Sequence, residues 1–206
     1  MAVLALVAVF LWLLQGSYSR RTEEALLAQA HAAQAIADAH PYSYRSLVET
    51  QAQINNLHPA FIAAIILNES SFRTDAESRV GARGLMQVMP DTAQWVHDKI
   101  GGGGVIDFDT MFDAETNVRY ACWYLNFLSN EFRGEPVLVA AAFHAGQGTV
   151  RNWLNDSRFS PDGRTIALES LPDDWNTKIY AERVMKAFAT YKRLYYEPTI
   201  TAGATP

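Results

Sequence analysis

A stripe of apolar residues follows Pro59 at three- and four-residue spacings: Phe61, Ile62, Ile65 and Ile66. This spacing predicts a helix with one buried face, and Pro59 suits its first turn because the missing N–H would have no intrahelical partner there. Glu69 continues the stripe, so a carboxyl group falls on a buried face near the end of the helix. The low polarity expected around this carboxyl group and the negative end of the helix dipole both favour its protonated form. We therefore expect Glu69 to be a proton donor at neutral pH.

Helical periodicity also dominates the rest of the chain. It predicts helices over residues 22–40, 44–55, 90–96, 137–145, 149–154 and 175–195, and a long helix that Asp113 caps. We expect the long helix to be the central buried helix of its domain, and Asp173 or Asp174 to cap the last helix. From the helix over residues 44–55, Leu47, Val48 and Ile54 are predicted to face inward. No run alternates convincingly enough to predict a strand, so the fold class is mainly α.

An unbroken apolar run spans residues 2–14. With residues 15–18 it would form about 27 Å of helix, close to the thickness of a bilayer core. We interpret residues 1–20 as a membrane anchor or a signal segment. The run has the length of a signal-peptide core, but no basic residue precedes it and no A-x-A site follows it. A buried core helix is a further alternative.

An alanine-rich segment occupies residues 21–41. Glu23 and Glu24 would lie in its first turn, where acidic side chains stabilise a helix. Its only large apolar residues are Leu26, Leu27 and Ile36, too few to bury a helix. We predict a helical stalk or a partner-binding helix here, a globular domain over residues 42–196, and a frayed tail over residues 197–206.

Composition excludes some classes of partner. The 206 residues are 49% hydrophobic and 19% charged, which is ordinary for a globular chain with one substantial core. The net charge of -5 argues against nucleic acid as a ligand. The single cysteine, Cys122, lies in a helical pattern and is predicted to be a small buried hydrophobe. Four histidines, His31, His40, His58 and His97, lack metal-ligand spacing.

A loop bracketed by glycines follows the first apolar stripe. Gly81 and Gly84 permit positive φ and close backbone approach. Such a loop can hold backbone amides and the Gln87 side chain against a polar, uncharged ligand. We expect Arg83, inside the loop, to be exposed.

Four segments in order carry a resemblance to a known family. They are Glu69–Phe72 (ESSF), Gly81–Pro90 (GARGLMQVMP), Ala142–Gly146 (AFHAG) and Thr177–Tyr180 (TKIY). Together they resemble the soluble lytic transglycosylases, which cut the glycan strand of peptidoglycan, over roughly residues 59–191. The resemblance implies a lysozyme-like helical domain of the goose-type or lytic transglycosylase kind.

The resemblance also implies a reaction that needs one carboxyl group. Glu69 would protonate the bond between N-acetylmuramic acid and N-acetylglucosamine. It would then act as a base on the muramoyl C6 hydroxyl, which attacks C1 and leaves a 1,6-anhydro end. Most glycosidases use a second carboxylate. Asp75 and Glu77 are near in sequence, but the family uses neither, and their polar surroundings predict solvated side chains. No metal and no cofactor is implied.

Substrate contacts follow from the resemblance residue by residue. Ser78 and Gln87 would bond the sugar or orient its acetamide, and Met89 would line the sugar channel. Tyr180 would contact the sugar or the catalytic carboxyl. Plainer alternatives stay open, namely Ser78 as a turn residue and Met89 or Tyr180 as core packing. Ser70 would fasten the helix end to the glycine loop.

Three positions depart from the family pattern. Phe143 stands where the family has tyrosine, so a hydroxyl expected to bond the catalytic carboxyl is absent. This loss favours the protonated acid and would slow the base step. His144 stands where the family has asparagine, and either replaces its polar contact with substrate or is a satisfied core residue. Asn176 replaces a glutamate and removes a charge from the cleft.

Taken together, these features predict a membrane-anchored lytic transglycosylase in the periplasm, or one exported by a cleaved signal peptide. Its partners would be peptidoglycan strands, the membrane and, through residues 22–40, a protein of an envelope-spanning machine for which it opens the wall. Arg20 and Arg21 favour a cytoplasmic domain, but the family substrate lies outside the inner membrane. The alternatives are a lysozyme-like hydrolase and a non-catalytic scaffold that binds the wall.

Overall fold

The computed structural model describes residues 21–172 and 174–197. The predicted anchor or signal segment over residues 1–20, the tail beyond residue 197 and Asp173 as a helix cap lie outside the described residues. The chain divides into two units, Met1–Pro41 and Tyr42–Pro206.

In the first unit, residues 21–38 are helical and are named α1. The large apolar side chains of α1 are exposed, Leu26 by 66%, Leu27 by 54% and Ile36 by 37%. The composition predicted this result, because it offers too few large apolar side chains to bury a face of α1. Across residues 21–172 and 174–197, no helix is both long and apolar enough to cross a membrane.

The second unit is built from helices, as the periodicity predicted. They are α2 (Arg45–Ile54), α3 (Pro59–Ser70), α4 (Pro90–Lys99), α5 (Ala114–Glu131), α6 (Pro136–Ala145), α7 (Gln147–Leu154) and α8 (Thr177–Tyr195). Short 3-10 helices span Phe108–Phe112, Leu168–Ser170 and Asp174–Asn176. Extended pairing in the described part of the chain is limited to isolated bridges, which join Arg83 to Glu77 and to Val88.

The central buried helix is α3, and the prediction that the long helix α5 has this place is wrong. Every residue from Ala60 to Ile66 is at most 5% exposed, because α2 and α8 both pack against α3. Pro59 occupies the first turn as predicted, and the His58 ring accepts the Ala60 N–H at 3.1 Å. The stripe read from the sequence is thus part of a helix that is apolar all round.

The long helix α5 has a buried face and an exposed face. Asp113 caps it as predicted, with Oδ1 accepting the Thr116 N–H at 2.8 Å. Its buried face includes the apolar residues Val118, Ala121, Cys122, Leu125 and Leu128. Cys122 is therefore the small buried hydrophobe that its neighbours indicated.

Two details at helix ends differ from the predictions. Ile54, the last residue of α2, is 68% exposed rather than buried. Helix α8 begins at Thr177, because residues 174–176 form a 3-10 turn and Asn176, at φ 60°, takes the N-cap position. Asp174 lies in that turn and does not cap α8.

Candidate active site

Glu69 is the penultimate residue of α3. Ser71 and Phe72 follow with positive φ of 52° and 63°, which ends the helix. The Tyr180 hydroxyl donates a hydrogen bond to Glu69 Oε1 at 2.7 Å. Burial raises the pKa of Glu69 to about 7, and the bond from Tyr180 opposes this rise. The side chain is thus divided between its acidic and basic forms near neutral pH, as a proton-transfer group requires.

Tyr180 is held by Glu69 at its hydroxyl and by the His144 ring on one face of its own ring. Burial and the neighbouring Glu69 keep its pKa well above the usual range, so its hydroxyl remains a neutral donor. The His144 ring stacks on the Tyr180 ring, with centroids 4.5 Å apart and planes at 29°. His144 Nδ1 lies 3.2 Å from Thr177 Oγ1, and burial lowers the pKa of His144, which favours the neutral ring. The stacked Tyr180 ring covers part of the imidazole, but His144 as a whole residue is exposed, so it is a surface group of the site and not a core histidine.

The glycine loop is fastened to the end of α3, as predicted for Ser70. Ser70 Oγ donates to the Leu85 carbonyl at 2.8 Å, and Ser70 itself is 4% exposed. At Gly84, with φ 76°, an added Cβ would lie 2.1 Å from the Met111 carbonyl oxygen. Glycine is required there by both backbone conformation and space.

Asn117 of α5 holds the other side of the same loop, and sequence reasoning missed it. Its side chain is fully buried. Oδ1 accepts the Met86 N–H at 2.8 Å, while Nδ2 donates to the carbonyls of Arg83 and Met111, both at 2.9 Å. A signal was present in the sequence, because Asn117 shares the helical face of Ala121 and Leu125 at spacings of four. A polar side chain on such a stripe has to be satisfied by hydrogen bonds.

Gln87 and Ser78 form hydrogen bonds within the loop. Gln87, at φ 48°, donates from Nε2 to the carbonyls of Ala76 and Gly84, both at 3.0 Å. Ser78 Oγ accepts the Ala82 N–H at 2.9 Å, so Ser78 is a turn residue. The sugar contacts predicted for these two side chains stay predictions.

The prediction that Arg83 is exposed is wrong. Its side chain is 21% exposed and forms ion pairs with Glu77 at 3.0 Å and Asp109 at 2.7 Å. The guanidinium also lies over the rings of Phe108 and Phe112, 4.7 and 5.0 Å from their centroids. Arg83 therefore stabilises the loop by joining it to Asp109, and the Glu77 carboxylate is occupied by its ion pair with Arg83.

Two cavities flank the end of α6, where Phe143 and His144 are consecutive. The first, of about 350 Å³, is lined by Asn68, His144, Asn176, Ile179, Tyr180 and Arg183. The second, of about 40 Å³, is lined by Gln87, Val88, Met89, Thr92, Ala121, Tyr124 and Phe143. Met89 is 39% exposed, which suits a residue in a channel wall. The predicted site residues, apart from Ser78, therefore gather beside Glu69 or in these two cavities.

Other features of the described residues lie outside this cluster. Thr92 and Tyr124 also line a further cavity of about 280 Å³, together with Asp91, Trp95 and Gln147. Another cavity, of about 320 Å³, lies at the start of α3 beside His58 and contains none of the predicted site residues. Within the described ranges, no three His, Cys, Asp or Glu side chains could together hold a metal ion.

Comparison with known proteins assigns the family. The model of the Transglycosylase SLT domain matches residues 46–165, more than half of the chain. The chain belongs to the SLT transglycosylase domain family. This assignment agrees with the helical fold and with the ordered motifs of the sequence.

The SLT domain is similar to several proteins over most of its length. The soluble lytic murein transglycosylase of Escherichia coli K12 is 30% identical over 165 residues, which are 79% of this chain and 25% of the relative. The membrane-bound lytic murein transglycosylase C of Edwardsiella ictaluri is 30% identical over 174 residues, 76% of this chain and 48% of the relative. The chain therefore spans about a quarter of the soluble relative and about half of the membrane-bound one.

Two solved structures share the fold of the SLT domain. One is an inactive glutamate-to-glutamine mutant of the lytic transglycosylase Slt from Pseudomonas aeruginosa, with a TM-score of 0.67 and 34% identity, covering 78% of this chain and 25% of that one. The other is the 70-kDa soluble lytic transglycosylase of Escherichia coli, with a TM-score of 0.69 and 28% identity, covering 77% and 25%.

Proposed function

We propose that this SLT domain is a lytic transglycosylase that cleaves the bond between N-acetylmuramic acid and N-acetylglucosamine in peptidoglycan. The observation that carries the proposal is the buried Glu69 carboxyl, whose pKa is raised to about 7 beside the Tyr180 hydroxyl. A group with this pKa can donate a proton and later accept one at the same working pH.

In the proposed reaction Glu69 acts twice. It first transfers its proton to the glycosidic oxygen, so that the leaving sugar departs as an alcohol while positive charge develops at C1. The resulting carboxylate then accepts the proton of the muramoyl C6 hydroxyl as that oxygen bonds to C1. The proton lost in the first step is regained in the second, and the product carries a 1,6-anhydro ring.

The two proton transfers need only one carboxyl group. The two acidic side chains near Glu69 in sequence, Asp75 and Glu77, are not arranged to supply a second one. Glu77 is bonded to Arg83, and Asp75 is exposed in the loop. Neither is therefore arranged as a second acid for the reaction. The Tyr180 hydroxyl has the complementary role, because its bond to Oε1 stabilises the carboxylate that forms after the first proton transfer.

We assign the remaining predicted residues to substrate binding. Met89 and Phe143 form an apolar wall, against which the weakly polar face of a sugar ring can pack. His144 presents an exposed, neutral imidazole beside Tyr180. Gln87 and Ser78 contribute mainly by holding the loop. The side-chain oxygen of Gln87, Oε1, accepts no hydrogen bond from the described residues, so it can accept one from a sugar N–H.

The relatives support both the reaction class and the essential acid. The Escherichia coli relative is a soluble lytic murein transglycosylase. In the Pseudomonas aeruginosa relative, the mutant with glutamine in place of a glutamate is inactive. Both facts agree with a chain whose buried glutamate performs the chemistry.

We further propose a periplasmic location, with residues 1–20 acting as a membrane anchor or as a signal segment. Relatives include both soluble and membrane-bound transglycosylases. The exposed Leu26 and Leu27 side chains of α1 suit contact with a protein of an envelope-spanning machine. In that setting the enzyme would open the wall locally.

The test is to digest isolated peptidoglycan with the purified chain and to identify the soluble products by mass spectrometry. The proposal predicts 1,6-anhydro-muramoyl ends. Reducing muramoyl ends would instead identify a hydrolase, in which water replaces the C6 hydroxyl. Binding of the wall without release of soluble products would identify a scaffold.

A further inference from the structure

The cavity of about 350 Å³ beside Tyr180 contains a cation that the proposed reaction does not use. Its lining residues are Asn68, His144, Asn176, Ile179, Tyr180 and Arg183. Among these described residues, Arg183 alone is permanently charged. The cavity is otherwise lined by amides, aromatic rings and one aliphatic side chain.

Arg183 lies just beyond Tyr180 on α8. Tyr180 and Arg183 are three residues apart on α8, so they share one face of the helix, and Asn176 is its N-cap. The step from Tyr180 to Arg183 is about 4.5 Å along the helix axis. Because Tyr180 is bonded to Glu69, a ligand group that reaches Arg183 extends about one helical turn from the catalytic site.

The guanidinium of Arg183 is not neutralised by the protein around it. Within the described ranges Arg183 forms no ion pair, and its side chain is exposed. Burial favours the neutral form of His144 by lowering its pKa. Within the described residues, Arg183 is therefore not engaged as a structural ion-pair partner.

A guanidinium in such a cavity suits a carboxylate ligand. Its planar donors match the two oxygens of a carboxylate, and the resulting bonds are stronger than those to a neutral hydroxyl. The glycan backbone of peptidoglycan presents hydroxyl and acetamido groups, whereas its carboxylates lie on the peptides attached to the muramoyl lactyl group. A cation is therefore better matched to the peptide substituent than to the sugars.

We propose that Arg183 binds a carboxylate of the peptide carried by the substrate, and so makes the domain selective for peptide-bearing strands. This inference rests on the proposed function. The exposed side-chain amide of Asn176 in the same cavity supplies a neutral donor and acceptor for the peptide bonds. Binding would then use both the apolar wall of Met89 and Phe143 and the cavity that Arg183 lines.

The test compares Arg183→Gln with Lys186→Gln, each in a chain that also carries Glu69→Gln so that the ligand is not consumed. Lys186 is an exposed cation on α8 that does not line the cavity, so both variants lose the same charge. The ligands are short glycan strands with their peptides, and stripped strands without them. The stripped strands are made with an amidase, and the lactyl carboxylates that this cleavage exposes are then capped as methylamides, so that no carboxylate remains. Affinity is measured by calorimetry.

With Arg183 present, peptide-bearing strands should bind about tenfold more tightly than stripped strands. Arg183→Gln should abolish this preference and leave the affinity for stripped strands unchanged, whereas Lys186→Gln should retain it. Arg183→Lys should restore part of the preference, because the charge returns without the planar donors. Equal losses in Arg183→Gln and Lys186→Gln, or equal weakening of both ligands by Arg183→Gln, would overturn the proposal.

Failure of this inference is distinguishable from failure of the proposed function. Chains with native Glu69 are assayed in parallel for release of soluble products from peptidoglycan. Absence of release would overturn the enzymatic proposal, while the binding preference would still decide the role of Arg183. Release without any preference for peptide-bearing strands would retain the enzyme and overturn the role of Arg183.

Discussion

Tyr180 and Glu69, 111 residues apart in sequence, are joined by a 2.7 Å hydrogen bond from the tyrosine hydroxyl to Oε1. The bond connects α8 to the end of α3 and acts on the pKa of the carboxyl. Burial disfavours the carboxylate, whereas the hydroxyl donor favours it. Burial has the larger effect, and the pKa of Glu69 is consequently raised to about 7.

Replacing Tyr180 with phenylalanine should move the pH dependence of activity upward. Loss of the donor leaves burial unopposed, so the pKa of Glu69 rises further and the carboxyl stays protonated to higher pH. The descending limb of kcat/KM, near pH 7 in the parent, should shift by about one pH unit. Tyr44→Phe is the control, because Tyr44 is 42% exposed and remote in sequence from the site. A limb that stays in place or moves downward would contradict this role of Tyr180.

Replacing Glu69 with glutamine should stabilise the folded domain above neutral pH. The pKa of Glu69 is raised in the folded state, so as pH rises above about 4.5 the unfolded chain releases its proton first. Stability is therefore lost between about pH 4.5 and pH 7, and the loss is complete above that range. Glu69→Gln removes a penalty of about 3 kcal/mol at pH 8 and has little effect at pH 4.

Denaturant unfolding of the parent and Glu69→Gln at these two pH values measures the difference. Glu182→Gln on α8 is the matched control, since Glu182 is exposed. Equal stabilities of the parent and Glu69→Gln at pH 8 would mean that the carboxyl is not desolvated.

Two glycines of the same loop should respond differently to alanine. Gly81 and Gly84 both have positive φ, 84° and 76°, but an added Cβ meets nothing within 4 Å at Gly81. Gly81→Ala should destabilise the fold by about 1 kcal/mol through backbone strain alone. Gly84→Ala adds the clash with the Met111 carbonyl and should cost about 3 kcal/mol or more. Urea unfolding of both variants makes the comparison, and similar losses would argue against the close packing at Gly84.

Asn117→Ala should destabilise the domain and impair the site together. The Met86 N–H and the carbonyls of Arg83 and Met111 would lose their buried partner. We expect a loss of about 3 kcal/mol in unfolding free energy. Asn130→Ala, on an exposed part of the same helix, should change stability by less than about 0.5 kcal/mol. If the two variants unfold alike, Asn117 does not fasten the loop.

Apolar periodicity was sufficient to predict most of the helices, but not which one is central. A stripe at three- and four-residue spacings shows one buried face, whereas the burial of Ala63 and Ala64 on the remaining faces of α3 depends on packing by α2 and α8. Alanine carries little hydrophobic signal, so a fully buried helix rich in alanine resembles a one-sided one.

Ile54 illustrates a second limit of hydrophobic patterning. The buried positions around α2 are Val48, Gln51, Ala52 and Asn55, at spacings of three, four and seven from Val48. Ile54 is six residues from Val48 and lies off this stripe. Asn55 can be buried because its Nδ2 donates to the Gln51 carbonyl at 2.9 Å. Composition alone does not reveal this hydrogen bond.

The place of Glu69 beside Tyr180 and the Ser70 contact to the glycine loop were predictable from the sequence, whereas the roles of Arg83 and Asn117 were not. Glu69 on an apolar stripe indicates a raised pKa from local sequence alone. Arg83 forms an ion pair with Asp109, 26 residues away in sequence, and Asn117 donates to the carbonyl of Arg83, 34 residues away. Contacts at such separations depend on the tertiary fold, so an exposed arginine and an unremarkable asparagine were the natural expectations.

The most direct measurement is the rate at which the parent chain and Glu69→Gln release soluble products from peptidoglycan, with circular dichroism to establish that both are folded. Removing the proton donor should lower the rate by at least about a hundredfold, and the parent products should carry 1,6-anhydro ends. A folded Glu69→Gln that releases the same products at the parent rate would contradict the assignment of Glu69 as the catalytic acid and base.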